Sequence, residues 1–178
     1  DSVTADNVSG ARRATELLVS AGHRRIGFVA GRVGVQTGDD RLAGYRLAIS
    51  AAALDPVVAY GEFSFEGGKA ATSELLASHP PLTGLLVANN QMTLGSLELA
   101  REKGVRVPEE VAVVAFDDPP WASLVQPPLT TLAQPLRSMA DAAVDLLFER
   151  MSDARSRSVH PVFDFELRIR RSCGTAAH

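Results

Sequence analysis

Four side chains of this 178-residue chain carry chemistry that depends on where they fall: Arg41, Phe63, Asn89 and Asp117. Asn89 directly follows the apolar run GLLVA, and Asp117 directly follows VAVVAF. Arg41 comes after the run FVAG and its polar loop, in the first turn of the next expected helix. Phe63 comes shortly after PVVAY. Short continuous apolar runs are strands covered on both faces, and in open parallel sheets ligands bind outside the strands' carboxyl ends. One edge should therefore gather a guanidinium, an amide, a carboxylate and an aromatic ring. Arginine and carboxylate take hydroxyl pairs through planar, two-pronged hydrogen bonds, an asparagine both donates and accepts, and a ring covers a ligand's apolar face. The set suits a small polyhydroxylated or heterocyclic ligand. Two neighbours are given structural duties, Asn90 as a helix N-cap and Asp118 as the shaper of the turn before Pro119-Pro120. Phe63 reads equally well as a core ring.

Enzyme chemistry finds little support. GRVGVQTG has the wrong glycine spacing for a dinucleotide fingerprint, no GxxxxGK[ST] loop exists, and Ser9 and Ser96 fall in helical segments rather than on a nucleophile elbow. The four histidines are scattered, and His23 is expected to bond locally. Asp117-Asp118 lacks a third ligand at helpful spacing, so no metal is expected, and no cofactor. A single cysteine, Cys173, permits no internal disulfide and reads as an incidental thiol near a polar tail.

The elements that must position this edge alternate. Helices are expected over 7–21, near 39–53, near 66–78 and near 91–103, with strands between them and LTTLA at 129–133 as a further extended piece. Asp6 or Asn7 can cap the first helix, and Gly22 and Gly104 end the first and fourth. Strands alternating with helices of this length mean an α/β fold with a doubly wound parallel sheet. A composition of 46% hydrophobic and 22% charged residues is ordinary for a globular chain. The net charge of −3 argues against nucleic-acid binding by this stretch itself. No apolar run approaches a membrane span and no signal peptide opens the chain, so a cytoplasmic location and no membrane partner are expected.

After residue 133 the rhythm changes. Residues 136–151 form an amphipathic helix with Leu136, Met139, Ala140, Ala143 and Leu147 on one stripe. A linker-like stretch at 152–161 and an alternating strand, VFDFELRIR, follow. Neither element has a βαβ unit of its own, which assigns both to a second lobe.

At this point the motifs resemble a family. GHRRIGFVAG, RLAGYRLAI, LLVANNQMTLGSLELAREKGVRVPEEVAVVAFDD, PPLTTLAQP and ELRIRRS run in the order seen in the effector-binding core of LacI/GalR (lactose/galactose repressor) transcriptional regulators. The resemblance implies a type I periplasmic-binding-protein-like fold, here mainly its C-terminal lobe. Residues 6–133 would form that lobe, and 134–161 a helix and linker of the N-terminal lobe. Residues 162–172 would be a crossing strand and 173–178 a tail. It implies a small effector, a sugar or related metabolite, at Arg41, Asn89 and Asp117 with Phe63 stacked on it. It also implies operator DNA contact only through a headpiece outside this sequence, and a homodimer through the helix near 91–103 and the loop after FDD. Leu94 and Leu97, expected on that helix's water side, and Trp121 would form the dimer contact. Ala115 and Asn90 replace a glycine and an aspartate common in the family. A solute-binding protein serving a transporter, of the same two-lobed fold, is the alternative. The stripe of helix 136–151 should lack a partner within this chain.

Overall fold

The computed structural model describes residues 1–152 and 157–174. In chain order the elements are β1 (Thr4–Ala5), α1 (Asn7–Ser20), β2 (Ile26–Ala30), α2 (Gln36–Ala51), β3 (Val57–Tyr60), α3 (Phe65–Leu76), β4 (Gly84–Val87), α4 (Asn90–Lys103), β5 (Ala112–Phe116), β6 (Thr130–Ala133), α5 (Leu136–Met151), β7 (Val162–Phe163) and β8 (Glu166–Arg168). Short 3-10 turns follow β5 at Pro120–Ser123 and β8 at Arg171–Cys173.

Six strands form the main sheet in the order β3-β2-β4-β5-β6-β8, parallel except for β8, which runs antiparallel to β6. The chain steps outward from β2 to β3 and then returns to β4 on the other side of β2. A crevice opens at such a reversal, at the carboxyl ends of β2 and β4. Both faces of the sheet are covered. On β2, Phe28 stacks on Tyr45 of α2 at 5.1 Å, while a Cβ at the adjacent Gly27 would meet Leu75 of α3 and Leu82. Every residue of β2, β4 and β5 is accordingly buried. Helix–helix approach is close on the first of these faces: a Cβ at Gly44 of α2 would lie 2.1 Å from the carbonyl oxygen of Val8 in α1. Tyr45 fixes the helix to the sheet, its hydroxyl donating to the Ile26 carbonyl at 2.7 Å and accepting from the Val57 N–H at 2.9 Å.

Several expectations change. Helix α2 begins at Gln36, so Arg41 lies in its second turn, one turn before Tyr45 and on the same face. The α1 cap is Asp6, which accepts from the Ser9 N–H at 2.9 Å. The expected strand at 162–170 is broken in two: β7 pairs with β1 in a separate two-stranded sheet, β8 joins β6, and buried Phe165 lies between them. Cys173 is fully buried in the main core rather than part of a polar tail. The core reaches it because Ser172, at the step before, is pinned to the sheet, its hydroxyl donating to the Val113 carbonyl at 2.6 Å. Residues 175–178 of the expected tail and 153–156 of the expected linker lie outside the described residues.

Helix α5 forms, yet none of its residues is buried. Leu136, Leu147, Phe148 and Met151 are all more than half exposed. Its closest company is the N-terminal segment, where Arg150 pairs with Asp1 at 2.8 Å and a cleft of about 310 Å³ runs between Val3, Leu146 and Leu147. Among the described residues no helix is long and apolar enough to cross a membrane.

Candidate functional site

The edge is built around Arg41. The pull of Tyr45 on α2 delivers the guanidinium to the carboxyl end of β4, where only 6% of the residue is exposed. Its Nε donates to Asn7 Oδ1 at 2.8 Å, and its Nη1 donates to the carbonyl of Ala88. The guanidinium carbon sits 4.1 Å from the centroid of the Phe116 ring and 5.9 Å from that of Phe165. Two aromatic faces and two oxygen acceptors thus hold the cation. Among the described residues none accepts a hydrogen bond from Nη2, which leaves that nitrogen able to donate. Burial lowers the Arg41 pKa to about 10, against the opposing pull of Asp117. The group stays charged at neutral pH.

Asn89 is the cap of α4, its Oδ1 accepting from the Met92 N–H at 2.9 Å. Asn90, expected in that role, is instead the first helical residue. The Asn89 backbone is fully extended, which aims its side chain back over the first turn, whereas Asn90 has already entered the helix. The Asn89 amide nitrogen donates to the Phe63 carbonyl at 3.3 Å, joining the ends of β3 and β4. Phe63 has φ +59 and is half-buried, outside the fully buried core. Its ring lies over Gly31 and Gly38, where a Cβ at Gly31 would fall 2.0 Å from Cζ. Glycine at 31 is what lets the ring lie flat on the end of β2.

Asp117 ends β5 in the left-handed region, φ +70. Its N–H donates to the Leu132 carbonyl at 2.9 Å, and its carboxylate accepts from the Gln134 amide at 2.7 Å. The neighbouring Asp118 does far more than shape a turn. Its carboxylate accepts from Arg170 at 2.7 and 3.0 Å, from Thr131 at 2.8 Å and from Arg168. Burial pushes its pKa up, but hydrogen bonds from Arg170, Thr131 and Arg168 outweigh that and hold it at about 2.

The four residues proposed from the sequence therefore share one edge: Arg41 touches the residue before Asn89, Asn89 touches Phe63, and Asp117 acts on Arg41 through its charge. Sequence reasoning missed Asn7, Phe165, Gln134, Arg168 and Arg170. Only Asn7 carried a local signal, because with Asp6 taking the cap its side chain is spare. Among the described residues no three His, Cys, Asp or Glu side chains gather as a metal site.

The expected dimer residues differ from the reading that placed them toward water. Leu94 and Leu97 are both half-buried, and around Leu97 the side chains of Leu76 on α3 and of Val105 and Val107 in the following turn close in on α4. Leu97 lines a groove of about 370 Å³ with Val105, Val125, Pro127 and Leu129. Trp121 is half-buried against the core.

Residues 15–173 match the model of the periplasmic binding protein-like domain. The HTH-type transcriptional regulator CelR of Thermobifida fusca is 38% identical over 173 residues, 96% of this chain and 51% of that protein. The solved CelR–cellobiose complex superposes with a TM-score of 0.91 at 38% identity, covering 96% of this chain and 53% of that one. A LacI family transcriptional regulator from Enterococcus faecium with bound ribose gives a TM-score of 0.89 at 25% identity, covering 97% of this chain and 65% of that one. The chain spans about half the length of the curated relatives it matches. Those relatives are transcriptional regulators, not enzymes. A match over most of the chain, on a sheet whose switch point carries this polar set, places the protein in the periplasmic binding protein-like domain family, in which it is similar to LacI-family transcriptional regulators.

Proposed function

We propose that this domain senses a small polyhydroxylated effector, a sugar or close relative, held at Arg41, Asn89 and Asp117 with Phe63 against its apolar face. The observation that carries the reading is Arg41: a charged, nearly buried guanidinium locked by Asn7 and Ala88, with one nitrogen still to donate and the charge of Asp117 acting on it. Sugar complexes of related regulators support the ligand class. In this reading the edge is one wall of the cleft, residues 6–133 are one lobe, and α5 belongs to the other. The protein acts in the cytoplasm as a homodimer through Leu94, Leu97 and Trp121, and meets operator DNA through a headpiece outside this sequence. The names of the relatives favour this over a solute-binding protein serving a transporter.

Calorimetric titration of the intact regulator with cellobiose, ribose and a panel of other saccharides tests it. Removing one hydrogen-bonding partner from a buried polar site costs about 1–3 kcal/mol, so Asp117→Ala and Arg41→Ala should each weaken binding about tenfold or more. Unchanged affinity in both variants would remove this edge from consideration.

A further inference from the structure

The two adjacent carboxylates at the end of β5 have been given different work. Asp118 is filled: both its oxygens accept from Arg170, and Thr131 and Arg168 complete the set. Asp117 accepts a single side-chain bond, from Gln134. One peptide unit separates a carboxylate spent on the scaffold from one presented at the ligand edge.

That presentation needs holding. At φ +70 the Asp117 backbone is in the left-handed region, disfavoured for a residue with a Cβ. Its N–H is tied to Leu132 of β6 on one side. On the other, Asp118 is tied to residues from β8 and beyond, 50 and 52 positions away in sequence. Arg170 is itself rigid: its Nη1 also reaches the Leu129 carbonyl at 2.6 Å, and its backbone exchanges bonds with the Thr130 hydroxyl at 2.8 and 2.9 Å. Arg168 is shared between Asp118 and Glu166, the latter at 2.8 Å. The same run of chain supplies Phe165, which flanks the Arg41 guanidinium. Global stability is a poor account of Arg168, because its side chain is 44% exposed and solvent-touched pairs contribute little. What it touches is the anchor of the Asp117 turn.

We propose that Arg168 and Arg170 are positioning residues for the effector site: by clamping Asp118 from the β8 segment, they hold the Asp117 backbone in the turn that presents its carboxylate at the carboxyl end of β5. The ligand half of this statement rests on the function proposed above; the clamp does not. Amide hydrogen exchange on the ligand-free protein reads the clamp directly. Arg168→Gln should raise exchange at the Asp117 N–H about tenfold, as a local opening, while Val114 in the middle of β5 keeps its protection. Arg168→Lys should fall between wild type and Arg168→Gln, since it restores charge without the fork. Arg170→Gln should act in the same direction and more strongly. In the intact regulator, affinity for cellobiose or ribose should follow the same order.

Asp117 exchange that is unchanged in both glutamine variants overturns the clamp, whatever the wild type binds. Equal acceleration at Asp117 and Val114 also overturns it, because the arginines would then support the whole sheet and not the turn. If exchange behaves as stated but the wild type binds no saccharide, the effector reading fails and the clamp stands.

Discussion

Asp118→Asn isolates the energetics of the ion-pair cluster at the end of β5. The carboxyl is 8% exposed and faces Arg170 and Arg168. It titrates at about 2 in the folded protein against an ordinary 3.8. A pKa depressed by folding means the folded state prefers the ionised form. That contribution is fully present above pH 4 and is lost as pH falls toward 2. Its size at neutral pH is about 2 kcal/mol. It should fall to roughly half near pH 3 and be nearly gone at pH 2. Because the arginines are partly open to solvent, with side chains 21% and 44% exposed, stranding them adds less than a fully buried pair would. For a chain of this size about 2 kcal/mol corresponds to a drop in Tm of roughly 4–8 °C. Urea unfolding of wild type and Asp118→Asn at pH 7, 5, 4 and 3 is the assay, because other acids titrate equally in both proteins and cancel in the difference. The gap should hold from pH 7 to 5 and narrow below 4. A gap that is as wide at pH 3 as at pH 7, or no gap at pH 7, would refute the electrostatic account.

Two further substitutions probe the scaffold. Gly44→Ala ordinarily favours a helix by about 1 kcal/mol, but here the methyl would meet the Val8 carbonyl at 2.1 Å. A net loss of about 1–3 kcal/mol is expected in thermal or urea unfolding, and a stabilised variant would mean α1 and α2 are not in close contact. Leu147→Ser with Phe148→Ser should change stability by less than about 0.5 kcal/mol per site, since both are exposed at 58% and 62%. A loss of several kcal/mol would show that the α5 face is covered within this chain.

Much of the architecture was legible without coordinates because its signals are local. Apolar runs of four to six residues separated by helical periodicity identify the buried strands of a parallel sheet, and Leu42, Tyr45 and Ile49 mark the inner face of α2. Knowing where each strand stops then places Asn89, Asp117 and Phe63 at one edge. The order of motifs such as VPEEVAVVAFDD and PPLTT added the family. Local pattern also foretold that α5 would have no sheet of its own to cover, as its exposed Leu136, Leu147 and Met151 show.

Partners are another matter, since they are chosen by tertiary proximity. Arg41 is held by Asn7 and Ala88, 34 and 47 positions away, and no spacing rule connects them. Asn89 rather than Asn90 caps α4 because β4 delivers residue 89 in an extended conformation, a difference of one residue that composition does not register. Leu94 and Leu97 looked outward on a helical projection, yet both are half-buried, Leu97 against Val105 and Val107 of the following turn. Of two consecutive aspartates, the sequence set Asp117 at the strand's end apart from Asp118 before Pro119-Pro120, but it gave Asp118 only a turn and no partners. An antiparallel strand that pairs with β6 brings Arg168 and Arg170 to one of them. Side-chain charge is a property of the sequence, whereas the partner that neutralises it is a property of the fold.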